Sequence, residues 1–180
     1  MVKTSNFANL NLIVIGAKLE NPQNTATIIE KARKIGDKMP LFQVVDAAFI
    51  GGKEHLLSSF WHASRHFDTG RNISSHFSLE VLLYAAGVRQ IHQAISSLGI
   101  QESTQTIALI AGSTDLSKLQ KVVDGYIKEI GAKYDDTVFE MSPEKRKYVA
   151  EAVGASGIGI DEVFFLRKVA ETALLTMKKI

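Results

Sequence analysis

Two strand-like apolar runs, "LFQVVDAAFI" at 41–50 and "QTIALIAG" at 105–112, are separated by sequence that reads as helix after helix. Doubly wound nucleotide-binding folds alternate single helices with parallel strands, and several helices in succession between two strands argue against that pattern. The chain is therefore predicted to be α+β: a single mixed domain over residues 1–180, with a small, mostly antiparallel sheet packed with about six to seven helices.

The remaining elements follow from local signals. Residues 9–17 are rich in β-branched and aliphatic side chains and read as the first strand. Asn21-Pro22 marks a helix start, with Pro22 in the first turn, and that helix runs to about Ile35-Gly36. Gly51-Gly52 permits a sharp turn into a helix ending at Gly70; Ser78 is placed to cap the next one, which Gly87 interrupts before "VRQIHQAISSL" continues to Gly99. The run at 105–112 is continuously apolar and so reads as a buried strand. Beyond it, Leu116, Leu119, Val122, Val123, Tyr126, Ile127 and Ile130 share one helical face. "TVFEM" reads as a short last strand, Ser142-Pro143-Glu144 opens a charged helix, and a long helix is expected over 161–179.

Composition excludes whole classes of chemistry. The absence of cysteine removes disulfides, iron–sulfur clusters, thiolate zinc sites and cysteine nucleophiles. No apolar run is long enough to span a bilayer and the first residues lack a signal-peptide pattern, so a soluble, cytoplasmic protein is expected. A formal net charge of +2 is far from that of a nucleic-acid coat, so any basic patch must be local.

Catalytic patterns are weak throughout. "GASGIG" and "IAGSTD" lack the lysine and hydroxyl of a phosphate loop; the first reads as a connection between helices, and Ser113, Thr114 and Asp115 in the second read as a helix cap. His55, His62 and His66 share a helical stripe, but no glutamate follows His62, so they read as imidazoles bordering the core and not as a zinc site. Asp135-Asp136 reads as a turn, and Glu144 and Asp161 as first-turn helix acids. No cofactor or metal is expected.

Arg89 is the exception. It stands in the otherwise nearly uncharged stretch "LLYAAGVRQIHQAI". On a helical wheel Val88, Ile91, Ala94, Ile95 and Leu98 form a buried face, with Arg89 pointing away from it. A cation in a first helical turn is disfavoured by about 0.3–1 kcal/mol, so helix stability does not explain it, whereas an anionic ligand does. An arginine laid on a neighbouring helix or bonded to a loop carbonyl is the alternative. Lys53, Arg65, Arg71 and Arg89, with Trp61 and the histidines, suit single-stranded nucleic acid; scattered solvated charge is the bland reading of the same residues.

The segments "GGKEHLL" and "GRNISSHFSLEVLLYAAGVRQIHQAISSLGI" together resemble the PRPK-binding protein (TPRKB) family, and within it the archaeal members. The resemblance covers nearly the whole chain from about Leu41. It implies the small kinase-associated subunit of the KEOPS complex, which makes threonylcarbamoyladenosine on tRNA. Such a subunit is not an enzyme: it binds and stimulates the complex's small atypical kinase/ATPase, meets the other subunits indirectly, and recruits tRNA through its single-stranded CCA end. Chemistry laid over the motif assigns RNA contact to Lys53, Arg65, His66, Arg71, Asn72, Arg89 and Gln90, with Glu80 and Tyr84 bracing them. Phe164, Phe165 and Leu166, on an apolar helix, are the expected kinase contacts. Two other functions stay open on residue chemistry alone. One is a small-molecule or nucleotide-binding enzyme with Arg89 as anion anchor in a closed pocket. The other is a structural adaptor with an acidic or hydrophobic surface around Arg89.

Overall fold

In the computed structural model, which describes residues 7–20 and 25–152, the first apolar run forms β1 (Asn11–Leu19), displaced two residues from the span expected. It joins β2 (Leu41–Asp46), β3 (Thr106–Ser113) and β4 (Ala132–Tyr134) in one sheet of order β2-β3-β1-β4. Every neighbouring pair is antiparallel, with Asn11 opposite Ser113 and Leu41 opposite Gly112. The described helices are α1 (Thr25–Gly36), α2 (Lys53–Asp68), α3 (Phe77–Ala86), α4 (Ile91–Leu98), α5 (Leu116–Glu129) and α6 (Pro143–Ala152). Six helices and an antiparallel sheet bear out the α+β architecture. None of the described helices is long and apolar enough to cross a membrane.

The two-residue period of a strand sorts the central β3 between two cores. Ala108 and Ile110 pack with Leu56 and Phe60 of α2 and with Val81 and Leu83 of α3. Ile107, Leu109 and Ala111 pack with Ile28 of α1 and with Leu119, Val123, Tyr126 and Ile127 of α5. Antiparallel sheets commonly leave one face wet and then alternate apolar with polar; here helices cover both faces, which is why β3 is an unbroken apolar run. Each such Leu, Ile or Phe removed from water contributes about 1.5–3 kcal/mol.

Several local expectations give way to side-chain hydrogen bonding. β2 stops at Asp46, not at residue 50, because Asp46 Oδ1 accepts the Ala48 N–H and winds Ala47–Phe49 into a 3₁₀ turn, while Oδ2 accepts the Thr104 hydroxyl at 2.7 Å. Ser78 does not cap α3. It lies in the first turn, and its Oγ accepts the Phe42 N–H at 3.2 Å, covering the outer edge of β2; His76 is the cap residue. "TVFEM" is not a strand: Asp135 Oδ1 accepts the Thr137 N–H and starts the 3₁₀ turn Asp136–Phe139, and residues 132–134 pair with β1 instead. Leu116, as the first residue of α5, is exposed while the rest of its apolar face packs as expected, with Val122 partly buried. Asp115 caps α5 through the Lys118 N–H at 2.9 Å, and Ser142 Oγ accepts the Lys145 N–H at the start of α6. Pro22 and the helix expected at 161–179 lie outside the described residues.

The pair α2 and α3 frames the region that matters for function. Gly52, at φ 112°, makes the turn into α2, a conformation side chains resist. The chain then folds back, so that His55 at the start of α2 meets Ala85 at the end of α3. Gly87 caps α3 in the left-handed conformation at φ 64°, with its N–H bonded to the Tyr84 carbonyl and the Val88 N–H bonded to the Leu83 carbonyl.

Candidate functional site

That cap ends α3 where the sequence places the break, but the next helix starts three residues later than expected. α4 begins at Ile91 with Gln90 as its cap residue, so Arg89 stands in a non-helical link and not in a first helical turn. Within α4 itself the buried stripe is narrower than the wheel drawn from Val88 gives. Ala94 and Leu98 are buried, but Ile91 and Ile95 are 37% and 50% exposed, which corrects their placement in the core. Arg89 and Gln90 are exposed, as expected.

The phenol of Tyr84 is the centre around which the other groups gather. Its hydroxyl shares a 2.7 Å hydrogen bond with His66 Nδ1, and the His62 ring stacks on it with centroids 5.6 Å apart. Burial first, and the nearby Glu80 charge second, hold the phenol well above its usual pKa, while Arg89 and Arg65 pull the other way. Both guanidinium groups thus lie close enough to act on the same hydroxyl. Burial, Arg65 and His66 lower the pKa of His62 below the usual imidazole value. Around this protonated phenol the structure brings together Arg65, His66 and Arg89, with Gln90 next in the chain.

Glu80 is fully buried and accepts the Ile73 N–H and, at 2.8 Å, the Ser74 N–H. A buried carboxylate requires such donors, and here they belong to the connection that carries Arg71 and Asn72. Arg71 is exposed and its N–H donates to the His66 carbonyl at 2.8 Å; Asn72 Nδ2 donates to the Ser74 carbonyl at 2.9 Å. Glu80 and Tyr84 therefore brace the segments carrying Arg65, His66, Arg71 and Asn72. His62 completes the wall of the site; its position four residues before His66 was the available sequence signal.

Lys53 is placed apart. As the first residue of α2 it lies about 18 Å along the helix axis from Arg65. Its ammonium pairs with Asp136 at 2.5 Å and lies 5.6 Å from the centroid of the Phe139 ring. Asp136 also accepts the Gly16 N–H at 3.0 Å, so this charge pair helps dock the 136–139 turn on β1. His55 is buried: Nδ1 accepts the Gly51 N–H, leaving Nε2 to donate to the Ala85 carbonyl at 2.8 Å. Burial drives its pKa down to about 4, so it serves packing as a neutral ring. Phe164, Phe165 and Leu166 lie outside the described residues.

Chemically, the cluster offers guanidinium groups, imidazoles, a phenol held protonated, and a carboxylate occupied by backbone donors. These groups hold anions and stack on rings; they do not form a nucleophile with its base. The family profile described as kinase binding protein CGI-121 matches residues 19–152. The chain belongs to the CGI-121 kinase-binding family. A regulatory protein, Cgi121, of Methanocaldococcus jannaschii is 30% identical over 138 residues, which cover 77% of this chain and 85% of that protein. The resemblance read from the central motifs is thereby borne out. All seven candidate RNA residues of this CGI-121 family chain fall inside the matched span.

Proposed function

We propose that the chain is a non-catalytic subunit of the KEOPS complex, one domain over residues 1–180, working in the cytoplasm without a cofactor. It binds and stimulates the atypical kinase/ATPase and recruits tRNA by its single-stranded CCA end for threonylcarbamoyladenosine synthesis. The observation that supports the RNA half is the Tyr84–His66 hydrogen bond, which joins α2, carrying Arg65 beside His66, to α3, whose following link carries Arg89, with the nearby Glu80 carboxylate engaged by backbone N–H groups. Arg71, Asn72 and Gln90 border that cluster and complete the surface; Lys53 belongs to it only if the RNA runs toward the start of α2.

An enzyme anchored on Arg89 calls for an enclosed pocket. Arg89 is exposed, on a link between two helices and not in an enclosed cavity wall. A protein contact beside Arg89 has an observation of its own: the exposed pair Ile91 and Ile95 on α4. We assign kinase docking to this pair, together with the apolar residues 164–166 expected from the sequence.

Replacement Arg89→Glu tests the RNA half. The variant is expected to bind tRNA at least tenfold more weakly at moderate salt, and to flatten the dependence of log affinity on log salt by about one unit. Its circular dichroism and its capture of the kinase are expected to match wild type. Unchanged tRNA affinity and salt slope in filter binding would remove RNA recruitment from the proposal.

A further inference from the structure

Trp61 is the single tryptophan of the chain, and its side chain is half exposed on α2. An indole left in water is a larger loss than any isoleucine, and nothing in the fold requires an aromatic at that point. Its position on the helix relates it to the cluster already described. At 100° per residue, Arg65 lies about 40° from Trp61 around α2 and His66 about 140°. The exposed arc therefore runs from Trp61 over Arg65 to His62 and His66 against Tyr84, with Arg89 acting on the same phenol. Glu54 and Asp68, each seven residues away and exposed, lie about 10 Å along the axis and bound this arc. Phe60 supports the indole from the core side, with ring centroids 5.2 Å apart at 73°.

A protein partner favours contiguous apolar surface, as Ile91 and Ile95 provide on α4. Trp61 has the partly exposed Leu57 and Ser58 one turn before it and the exposed Arg65 one turn after it, so its apolar neighbourhood is a single side chain and a guanidinium adjoins it. A lone supported aromatic ring one helical turn from an exposed guanidinium matches a nucleotide: the base stacks on the indole while the flanking phosphate meets the arginine. We propose that Trp61 is a base-stacking platform that carries the RNA surface across α2, taking one unpaired nucleobase while Arg65 holds the adjacent phosphate. The proposal rests on the RNA-binding reading of the Arg65–Tyr84–Arg89 cluster.

Because all tryptophan emission comes from one residue, the test needs no variant at first. A fluorescein-labelled single-stranded RNA ending in CCA is titrated with the full chain, reading anisotropy of the dye; the unlabelled RNA is then titrated into the chain, reading tryptophan emission. Saturable quenching with the same midpoint as the anisotropy change is expected. Trp61→Ala is expected to weaken binding about 5- to 150-fold, and Trp61→Phe by less, both keeping the wild-type salt slope because no phosphate contact is lost. If the RNA binds but emission and the Trp61→Ala affinity are unchanged, the stacking role is wrong and the RNA-binding reading stands. If the RNA does not bind the wild type at low salt, that reading fails and the platform with it. If Trp61→Ala keeps RNA affinity but loses kinase capture, Trp61 is a protein contact and the proposal is overturned.

Discussion

His55 and Glu80, one in each of the two family-like segments, are both buried yet do opposite electrostatic work. His55 titrates near 4 in the fold against about 6.5 in an unfolded chain, so between those values the unfolded state binds a proton that the fold refuses. The stability this contributes is complete above pH 6.5 and is lost as pH falls toward 4, by roughly 3 kcal/mol over the window. Urea-unfolding midpoints measured from pH 7 to 4 should therefore fall steeply for wild type. His55→Gln should be less stable at pH 7 but lose less over that range; parallel curves would locate the effect elsewhere. Glu80 is buried as an acceptor, and Glu80→Ala strands the N–H groups of Ile73 and Ser74. A loss of about 2–3 kcal/mol is expected, with weaker tRNA binding through a loosened Arg71–Asn72 connection. Glu80→Gln, which keeps one acceptor oxygen, should recover part of both in the same assays.

At the scale of elements, Gly16 shows how a missing side chain fixes a contact. A Cβ there would meet Val138 Cγ2 at 2.2 Å and the Asp135 carbonyl oxygen at 2.6 Å, so β1 admits the 136–139 turn only where it carries glycine. Gly16→Ala is expected to destabilise by about 1–3 kcal/mol. Gly125→Ala, on an open surface of α5, should stabilise by up to about 1 kcal/mol. Denaturant unfolding of the two variants gives opposite shifts if this account is right. The elements legible in the sequence were those whose apolar pattern agrees with their ends, β3, α2 and α5, and α6, which its Ser142-Pro143-Glu144 start marks. What escaped was decided by side-chain acceptors that a pattern does not weigh, namely Asp46, Ser78 and Asp135. The site was half legible for a related reason. Residue types marked Arg89 as odd, but the wheel put Ile91 and Ile95 in the core with Ala94 and Leu98, whereas the fold covers only the last two, because a wheel shows which residues share a face and not how wide a stripe the neighbours bury.

Across the whole molecule, the link 88–90 places the two proposed surfaces in direct succession, Arg89 and Gln90 for RNA and α4 for the kinase. Ile95→Glu is expected to reduce capture of the purified kinase by thirtyfold or more, because a charge then replaces an anchor in a desolvated contact. The tRNA affinity of the isolated chain should stay within about twofold, read by filter binding on the same preparation. Loss of both activities would mean that α4 supports the RNA surface instead.

The strand order has a further consequence for biogenesis. β1 is made first, but Ser113, the residue opposite Asn11, follows it by 102 positions. At about 5–20 residues per second on the ribosome, β1 waits roughly 5–20 s with both of its hydrogen-bonding edges unpaired. For that interval "NLIVIGAKL" is a sticky, β-branched segment without a sheet, and chaperone capture of the nascent chain should concentrate there.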